Sequence, residues 1–128
     1  MEKVSCDVFF DYTWPFVYNA AVWLESVKEE TDTELDINWR AFLLEQINNK
    51  QDPGWKVWDQ PDDYEFRSLW ALRAGEAAKK QGDAAFQKFH IALLRARHGD
   101  RVNIGDKDTL MEVAGSVGLD LERLRTDM

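Results

Sequence analysis

The sequence predicts an α/β protein in which one strand-helix-strand unit is followed by helices alone. Apolar side chains alternate with polar ones along Val4–Phe10 and again along Leu35–Arg40, which is the period of a β-strand. Between these segments, Trp14–Glu30 carries apolar residues at spacings of three and four, the period of an amphipathic helix. From residue 64 onward, only the helical period recurs.

The composition limits the classes of partner. The chain has 128 residues, and 16 Lys and Arg against 24 Asp and Glu give it a net charge of −8. This length suits one domain with a single core, and the negative charge argues against a nucleic-acid partner. No stretch approaches the roughly 18 apolar residues of a membrane span, and charges stand where a secretory signal needs an apolar run. We expect a cytoplasmic protein with neither a nucleic-acid nor a membrane partner.

The strand-helix-strand unit should occupy residues 1–44. Thr13 is the predicted N-cap of its helix, and Pro15 falls in the first turn, where the missing N–H has no intrahelical acceptor to lose. A strand-helix-strand crossover of this length is right-handed with parallel strands. The unit is therefore predicted to form a parallel two-stranded sheet.

A connecting loop, residues 45–63, precedes a helical segment, residues 64–128, and we expect both parts to pack as one globular unit. The loop is rich in Asn, Gln, Asp, Pro and Gly and should hold one helical turn at most. Its Trp55 and Trp58 are interpreted as anchors in a small apolar cluster, with a lid as the alternative. Cap residues predict four helices. Asp62 or Asp63 caps one from Tyr64 to Gln81, and Asp83 caps one through His98 that ends at Gly99. Asp106 caps a third through Val117, and Asp120 begins a short fourth.

Three segments together carry a family pattern: residues 11–18, the stretch from Asn38 to Leu44 and the helical stretch from Ala71 to Leu124. They resemble the DsbA-like thioredoxin-fold family, which includes DsbA-type oxidoreductases and 2-hydroxychromene-2-carboxylate isomerases. The family's active-site turn has the pattern Asp-aromatic-x-Cys-Pro-aromatic-Cys-Tyr, and the matching segment is Asp11-Tyr12-Thr13-Trp14-Pro15-Phe16-Val17-Tyr18. The segment from Asn38 to Leu44 resembles the family's Trp-Arg-x-Phe-x-Leu stretch, and that from Ala71 to Leu124 resembles its helical insertion. The resemblance implies the N-terminal βαβ unit of a thioredoxin-like fold followed by an α-helical insertion domain, with the second half of the thioredoxin sheet absent.

The cysteines that perform the family's redox chemistry are missing from the matching turn. In redox members, a thiolate at the helix N-terminus attacks a disulfide, and a second cysteine three residues later resolves the intermediate. Trp14 and Val17 occupy these two positions, on either side of Pro15 and Phe16. The resemblance therefore implies a thiol-disulfide oxidoreductase-like protein with no catalytic residues at this turn and no dithiol redox activity. Isomerase members typically have Ser where Trp14 stands, to support a glutathione thiolate, and an indole differs in size and placement.

The alternative is a non-catalytic binding or self-assembling module that recognises a small anionic ligand, glutathione or a peptide at the Trp14 turn. Its predicted ligand-binding residues are Tyr12, Thr13, Trp14 and Tyr18. Trp14 is either a stacking platform beside the helix N-terminus or a plug that fills the space of a lost active site. The hydroxyls of Tyr12 and Tyr18 bond either a ligand or backbone carbonyls. The resemblance admits glutathione as a cofactor and implies no other.

Three further residues and the sheet edges complete the prediction. Cys6, the only cysteine, should be buried on the apolar face of the first strand as a small hydrophobe. His90 and His98 are two helical turns apart, too far to share a metal ion, so no metal site is expected. A two-stranded sheet leaves open edges, and we expect a homo-oligomer or further C-terminal sequence to complete it.

Overall fold

A computed structural model of the protein describes residues 3–31 and 34–128, and residues 1, 2, 32 and 33 lie outside this description. The first three elements are β1 (Lys3–Phe10), α1 (Pro15–Glu30) and β2 (Glu34–Ala41). A short helix and a 3₁₀ turn follow: α2 (Leu44–Ile47) and Val57–Asp59. Four longer helices end the chain: α3 (Leu69–Lys79), α4 (Asp83–His98), α5 (Lys107–Ser116) and α6 (Leu121–Asp127). The predicted order of strand, helix, strand and helices is confirmed.

The sheet consists of β1 and β2, which run parallel, with Val8 opposite Trp39. Because side chains alternate along a strand, Phe10 and Trp39 point to one face, whereas Asp7 and Arg40 point to the other. The second face is solvated, and Arg40 Nη1 pairs there with Asp7 Oδ2 at 3.3 Å. The first face carries the core.

One hydrophobic core joins the βαβ unit to the helical segment. Its buried members come from β1, the β1–α1 turn, α1, β2, and all four helices α3 to α6 and their connections. Phe10 and Trp39 lie against His90 of α4, with ring centroids 5.0 and 4.4 Å away. The helical segment therefore covers the carboxyl ends of both strands.

A smaller cluster fixes the connecting loop. It is built on Val57, Phe66 and Leu69, and Trp55 packs against it as the sequence predicts, whereas Trp58 is largely exposed. The loop region holds two helical turns, the end of α2 and the turn at Val57–Asp59, so the prediction of one turn at most is wrong.

The predicted start of α3 and the predicted N-caps Thr13 and Asp83 are also wrong. Gly82 is the N-cap of α4, and Asp83 lies in the first turn of that helix. The other two predictions fail because a side chain bonds elsewhere. Helix α3 begins at Leu69 rather than at residue 64, because Ser68 Oγ donates to Asp11 Oδ2 at 2.9 Å and Phe66 is buried in the smaller cluster. Asp62 and Asp63 are therefore not caps. At α1 the N-cap position belongs to Trp14, and Thr13 Oγ1 donates to Asp11 instead, at 2.8 Å. By contrast, Asp106 and Asp120 cap α5 and α6 as predicted.

Cys6 is exposed, so the prediction of a buried structural cysteine is wrong. Alternation along β1 correctly places Cys6 on the same face as Val8 and Phe10, but the helical segment covers only the far end of that face. Val4, at the near end, is 44% exposed. Cys6 consequently lines an open groove that also includes Ile37.

None of the helices in the described ranges combines the length and hydropathy required to cross a bilayer.

Candidate functional site

The carboxylate of Asp11 organises the turn between β1 and α1. This residue is 1% exposed and accepts four hydrogen bonds. Its Oδ1 accepts from the backbone N–H of Thr13 at 2.9 Å and from the Thr13 hydroxyl at 2.8 Å. Its Oδ2 accepts from the N–H of Leu44 at 3.0 Å and from the hydroxyl of Ser68 at 2.9 Å. One buried carboxylate thus joins the turn to the starts of α2 and α3.

Tyr12 is held by two histidines of α4. Its hydroxyl lies 2.8 Å from Nδ1 of His90, and its carbonyl oxygen accepts a hydrogen bond from Nε2 of His98 at 2.7 Å. Because a carbonyl can only accept, Nε2 of His98 carries a proton. The Tyr12 ring is fully buried, and Gly75 of α3 makes room for it, since a Cβ there would lie 2.8 Å from the Tyr12 hydroxyl oxygen.

Burial controls the ionisation of the Tyr12–His90 pair. Loss of solvation, with a smaller contribution from Lys79, lowers the pKa of His90 from 6.5 to about 3. Loss of solvation and the charge of Glu76 raise the pKa of Tyr12 well above its usual value. Both side chains are therefore neutral at physiological pH. Within the described part of the chain, Nε2 of His90 is buried without a hydrogen-bond partner.

Two aromatic side chains project from the turn into solvent. Trp14 is 42% exposed and Phe16 is 69% exposed, and their rings meet edge to face with centroids 6.4 Å apart. The N–H of Trp14 donates to the carbonyl of Asp11 at 3.0 Å, and the N–H of Val17 donates to the carbonyl of Trp14 at 3.1 Å. The interpretation of Trp14 as a plug is wrong, because the indole is exposed and belongs to neither hydrophobic cluster of the described residues. Val17, by contrast, is part of the core.

The four residues predicted to bind ligand occupy different depths. Trp14 is at the surface, and Thr13 is partly buried beside two grooves. Tyr12 lies beneath them in the core, and Tyr18 is partly buried against it. The structure therefore brings Thr13 and Trp14 together at an accessible surface, while Tyr12 supports them from below. Ligand contact by these residues stays a prediction.

Sequence reasoning missed the residues that build this turn. Asp11 received no role, although an acidic residue directly between a strand and a helix is a signal for a bond to the turn's own N–H groups. The two-turn spacing of His90 and His98 puts them on the same side of a helix, but the sequence does not reveal that Tyr12 is their common partner. Among the described residues, no group of three or more His, Cys, Asp and Glu side chains could hold a metal ion.

Comparison with known proteins agrees with the geometry of β1, the turn and α1. The family model of the DSBA-like thioredoxin domain matches residues 5–128. The chain belongs to the DSBA-like thioredoxin domain family. It is also similar to the uncharacterized protein Rv2286c of Mycobacterium tuberculosis (strain ATCC 25618 / H37Rv), with 29% identity over 98 residues. That alignment covers 73% of this chain and 38% of the relative, so the chain corresponds to well under half of the relative's length.

Membership in the DSBA-like thioredoxin domain family shows the fold. The activity depends on which side chains this chain carries. With a single cysteine, Cys6 in β1, the chain has no Cys-x-x-Cys motif. The turn between β1 and α1 presents Trp14 and Phe16 to solvent. What such a surface does depends on these aromatic rings and on the residues that hold them.

Proposed function

We propose that this chain is a binding domain of the DSBA-like thioredoxin family that recognises a small anionic ligand or a peptide at the Trp14 turn. The observation that carries the proposal is the exposed Trp14–Phe16 pair, which stands on a turn fixed by four hydrogen bonds to Asp11. A ligand that binds a fixed surface loses less free energy in ordering its partner than one that binds a mobile loop.

The aromatic pair and the start of α1 suit a peptide-like ligand for two reasons. Exposed aromatic faces stack on planar groups such as amides. The first turn of a helix favours negative charge, and Trp14 provides no side-chain cap to compete for it. Glutathione combines amide planes with carboxylates and is the ligand that the family resemblance suggests, so it is the first probe to use.

Calorimetric titration with glutathione tests the binding proposal. Stacking on an aromatic side chain contributes about 0.5–1.5 kcal/mol, so Trp14→Ala should weaken binding by about two- to thirteenfold. Trp23→Ala is the matched control, because Trp23 is another exposed tryptophan, two turns along the helix that Trp14 precedes, at 65% exposure. Absence of binding at millimolar glutathione, or equal losses in the two variants, would contradict the proposal.

We further propose that the chain performs no dithiol exchange. An indole and an isopropyl group form neither a thiolate nor a bond to sulfur, and Cys6 has no second cysteine with which to form an intramolecular disulfide. In an insulin-reduction assay with dithiothreitol, the protein should not accelerate precipitation above the rate without protein. Acceleration by the wild-type protein would contradict the proposal, and its loss in Cys6→Ser would assign it to that single thiol.

A second candidate function, self-assembly, is favoured by the sheet. In the described residues β1 and β2 pair only with each other, so each has an open edge that another strand can join. We propose that a second copy of the chain does so. Size-exclusion chromatography with light scattering should then give twice the 14.9 kDa of one chain. A monomer at every concentration would overturn self-assembly and favour completion by a further segment of a longer protein.

The cytoplasmic location also remains a proposal. Cytosolic reductants keep thiols free, which suits a chain whose single cysteine is exposed and has no partner within the same chain. Fractionation of cells that express the full-length protein tests it, and recovery in an oxidising compartment would contradict it.

A further inference from the structure

Three arginines line one open groove beside the Trp14 turn. The groove has a volume of about 970 Å³, and its wall includes Arg67, which precedes α3, Arg97 in the last turn of α4, and Arg101 in the loop after α4. Thr13 closes it on the side of the turn. We call this site the arginine groove.

The charge in the arginine groove opposes that of the whole molecule. The chain carries a net charge of −8, yet the three arginines outnumber the two acidic residues of the groove, Glu45 and Glu65. Glu45 is already bonded, because it accepts from the N–H of Arg67 at 3.1 Å and from the hydroxyl of Tyr64 at 3.4 Å. Across residues 3–31 and 34–128, none of the three guanidinium groups forms an ion pair with an acidic side chain.

Arg97 has a buried donor that lacks an acceptor. Its Nε is inaccessible to solvent and makes no hydrogen bond in the described part of the chain. The dipole of α4 favours a cation in the last turn of the helix, but it does not supply an acceptor for this N–H. A buried N–H without an acceptor is unfavourable, so no bond within the described part of the chain offsets the burial of this donor.

Arg101 adopts a backbone conformation that arginine disfavours. Its φ of 56° is the only positive value at a non-glycine residue in the described ranges. Glycine or asparagine would occupy this left-handed conformation at lower cost, and strain of this kind is concentrated at functional sites. The loop also lies close to residues 66 and 67, because a Cβ at Gly105 would be 2.7 Å from the carbonyl oxygen of Phe66. Arg101 and Arg67 line the same groove.

We propose that the arginine groove binds an oxyanion, a carboxylate or phosphate group of a small molecule, through Arg67, Arg97 and Arg101. Guanidinium groups suit this role because their planar N–H donors match the oxygen spacing of both groups and form charge-assisted hydrogen bonds. The inference does not depend on ligand binding by the aromatic pair, since the two surfaces share Thr13 but neither Trp14 nor Phe16 lines the groove.

Two calorimetric titrations at low salt test the proposal, one with inorganic phosphate and one with succinate. The wild-type chain should bind at least one of them with a Kd of about 1 mM or tighter, and the preferred probe identifies the phosphate or carboxylate source. Arg101→Asn and Arg97→Gln should each weaken binding by about tenfold, as expected when a charge-assisted hydrogen bond is lost.

The control variant is Arg125→Gln, which removes the same charge from an exposed position on α6. It should leave the Kd within about twofold of the wild-type value, because exposed charges far from a ligand are screened. Arg101→Asn separates binding from folding, since asparagine tolerates the left-handed backbone and should melt at or above the wild-type temperature.

Weak or absent binding of both anions, with a Kd above about 10 mM, would overturn the proposal. So would an unchanged Kd in Arg101→Asn, or a loss in Arg125→Gln as large as that in the groove variants. Trp14→Ala keeps all three arginines and should bind phosphate or succinate normally. If glutathione does not bind to the wild-type chain but phosphate or succinate binds to Trp14→Ala, the proposal for the Trp14 turn is wrong and the proposal for the arginine groove stands.

Discussion

Tyr12 and His90 form a hydrogen-bonded pair inside an aromatic cluster. The rings of Phe10, Trp39 and Phe86 lie 4.4–5.0 Å from the imidazole, measured between centroids. In such surroundings neither polar group has water to replace a lost partner, so each depends on the other.

Removal of the Tyr12 hydroxyl should therefore be costly. We expect Tyr12→Phe to lower the free energy of unfolding by about 1–3 kcal/mol, because Nδ1 of His90 would lose its hydrogen bond while still buried. Tyr18→Phe is the control, since the Tyr18 hydroxyl makes no hydrogen bond within the described residues and the change should be near zero. Urea denaturation measures both, and similar losses in the two variants would contradict the role given to the pair.

His90 should also make stability depend on pH. The pKa of its imidazole is about 3 in the folded protein and 6.5 when exposed. Below pH 6.5 the unfolded chain therefore binds a proton that the folded chain excludes, so stability is complete above that pH and is lost as pH falls toward 3. Between pH 7 and pH 5 the loss should be about 2 kcal/mol.

Comparison of variants isolates this contribution from that of the carboxylates. Urea unfolding at pH 5 and pH 7 should show a smaller difference for His90→Gln than for the wild-type chain. His98→Gln retains His90, so its pH dependence should exceed that of His90→Gln. If His90→Gln retained the full difference, another group would be responsible for it.

At the scale of elements, two helical glycines should respond to alanine in opposite directions. Alanine favours a helix over glycine by about 1 kcal/mol. At Gly115 in α5 the new Cβ would meet only Leu121 Cδ1 at 3.6 Å, so Gly115→Ala should be neutral or stabilising. At Gly75 it would lie 2.8 Å from the buried Tyr12 hydroxyl, so Gly75→Ala should destabilise by about 1–3 kcal/mol, as overpacking does. Thermal melts that rank the two variants otherwise would contradict this packing.

The four hydrogen bonds accepted by Asp11 predict that its substitution costs more stability than that of an exposed aspartate. Asn retains one acceptor oxygen in place of two, so Asp11→Asn leaves at least part of the four hydrogen bonds unmade. We expect a loss of about 2–4 kcal/mol in the free energy of unfolding, since bonds to a charged group contribute about 1.5–3 kcal/mol each. Asp7→Asn changes an exposed carboxylate and should cost about 1 kcal/mol or less. Chemical denaturation measures both, and equal losses of unfolding free energy in Asp11→Asn and Asp7→Asn would contradict the role given to Asp11.

The spacing of apolar residues predicted most helices and strands well, because this spacing depends only on residues close together in the sequence. It located β1, α1, β2 and α4 to within one residue, and the caps at Asp106 and Asp120 are local signals of the same kind. It failed at the start of α3, where the deciding bond joins Asp11 and Ser68, 57 residues apart. The predicted burial of Cys6 failed for a related reason, since alternation along a strand shows which face a side chain points to but not what covers that face.

At the scale of the whole molecule, the βαβ unit and the helical segment are joined by contacts between side chains of both parts. Gln87 Nε2 of α4 donates to Glu25 Oε1 of α1 at 2.6 Å, and Lys79 Nζ of α3 donates to the carbonyl of Trp39 in β2. The core itself contains residues of both parts. We propose on these grounds that residues 1–44 and 64–128 unfold together.

A single cooperative transition is the expected outcome. Tryptophan fluorescence and far-ultraviolet circular dichroism should give coincident urea curves, because neither part retains its own core once the shared one is opened. Two separated transitions would show that the helical segment is stable without the βαβ unit, and would contradict the shared core.

The family could also be predicted from the sequence, whereas the candidate site could be predicted only in part. The order of the three matching segments is a property of the chain alone, and it pointed to the family that the comparison shows. The exposure of Trp14 and the position of the arginine groove depend on how α4 and its following loop pack. Those contacts join residues distant in sequence, so no local pattern contains them.

The two histidines on Tyr12 have a mechanical consequence. They are eight residues apart, a distance of about 12 Å along the axis of α4, and one holds the side chain of Tyr12 while the other holds its main chain. A segment pinned to a helix at two separated points cannot swivel about either of them. A displacement of α4 should therefore carry the backbone at Tyr12 with it, and so shift the turn from which Trp14 projects.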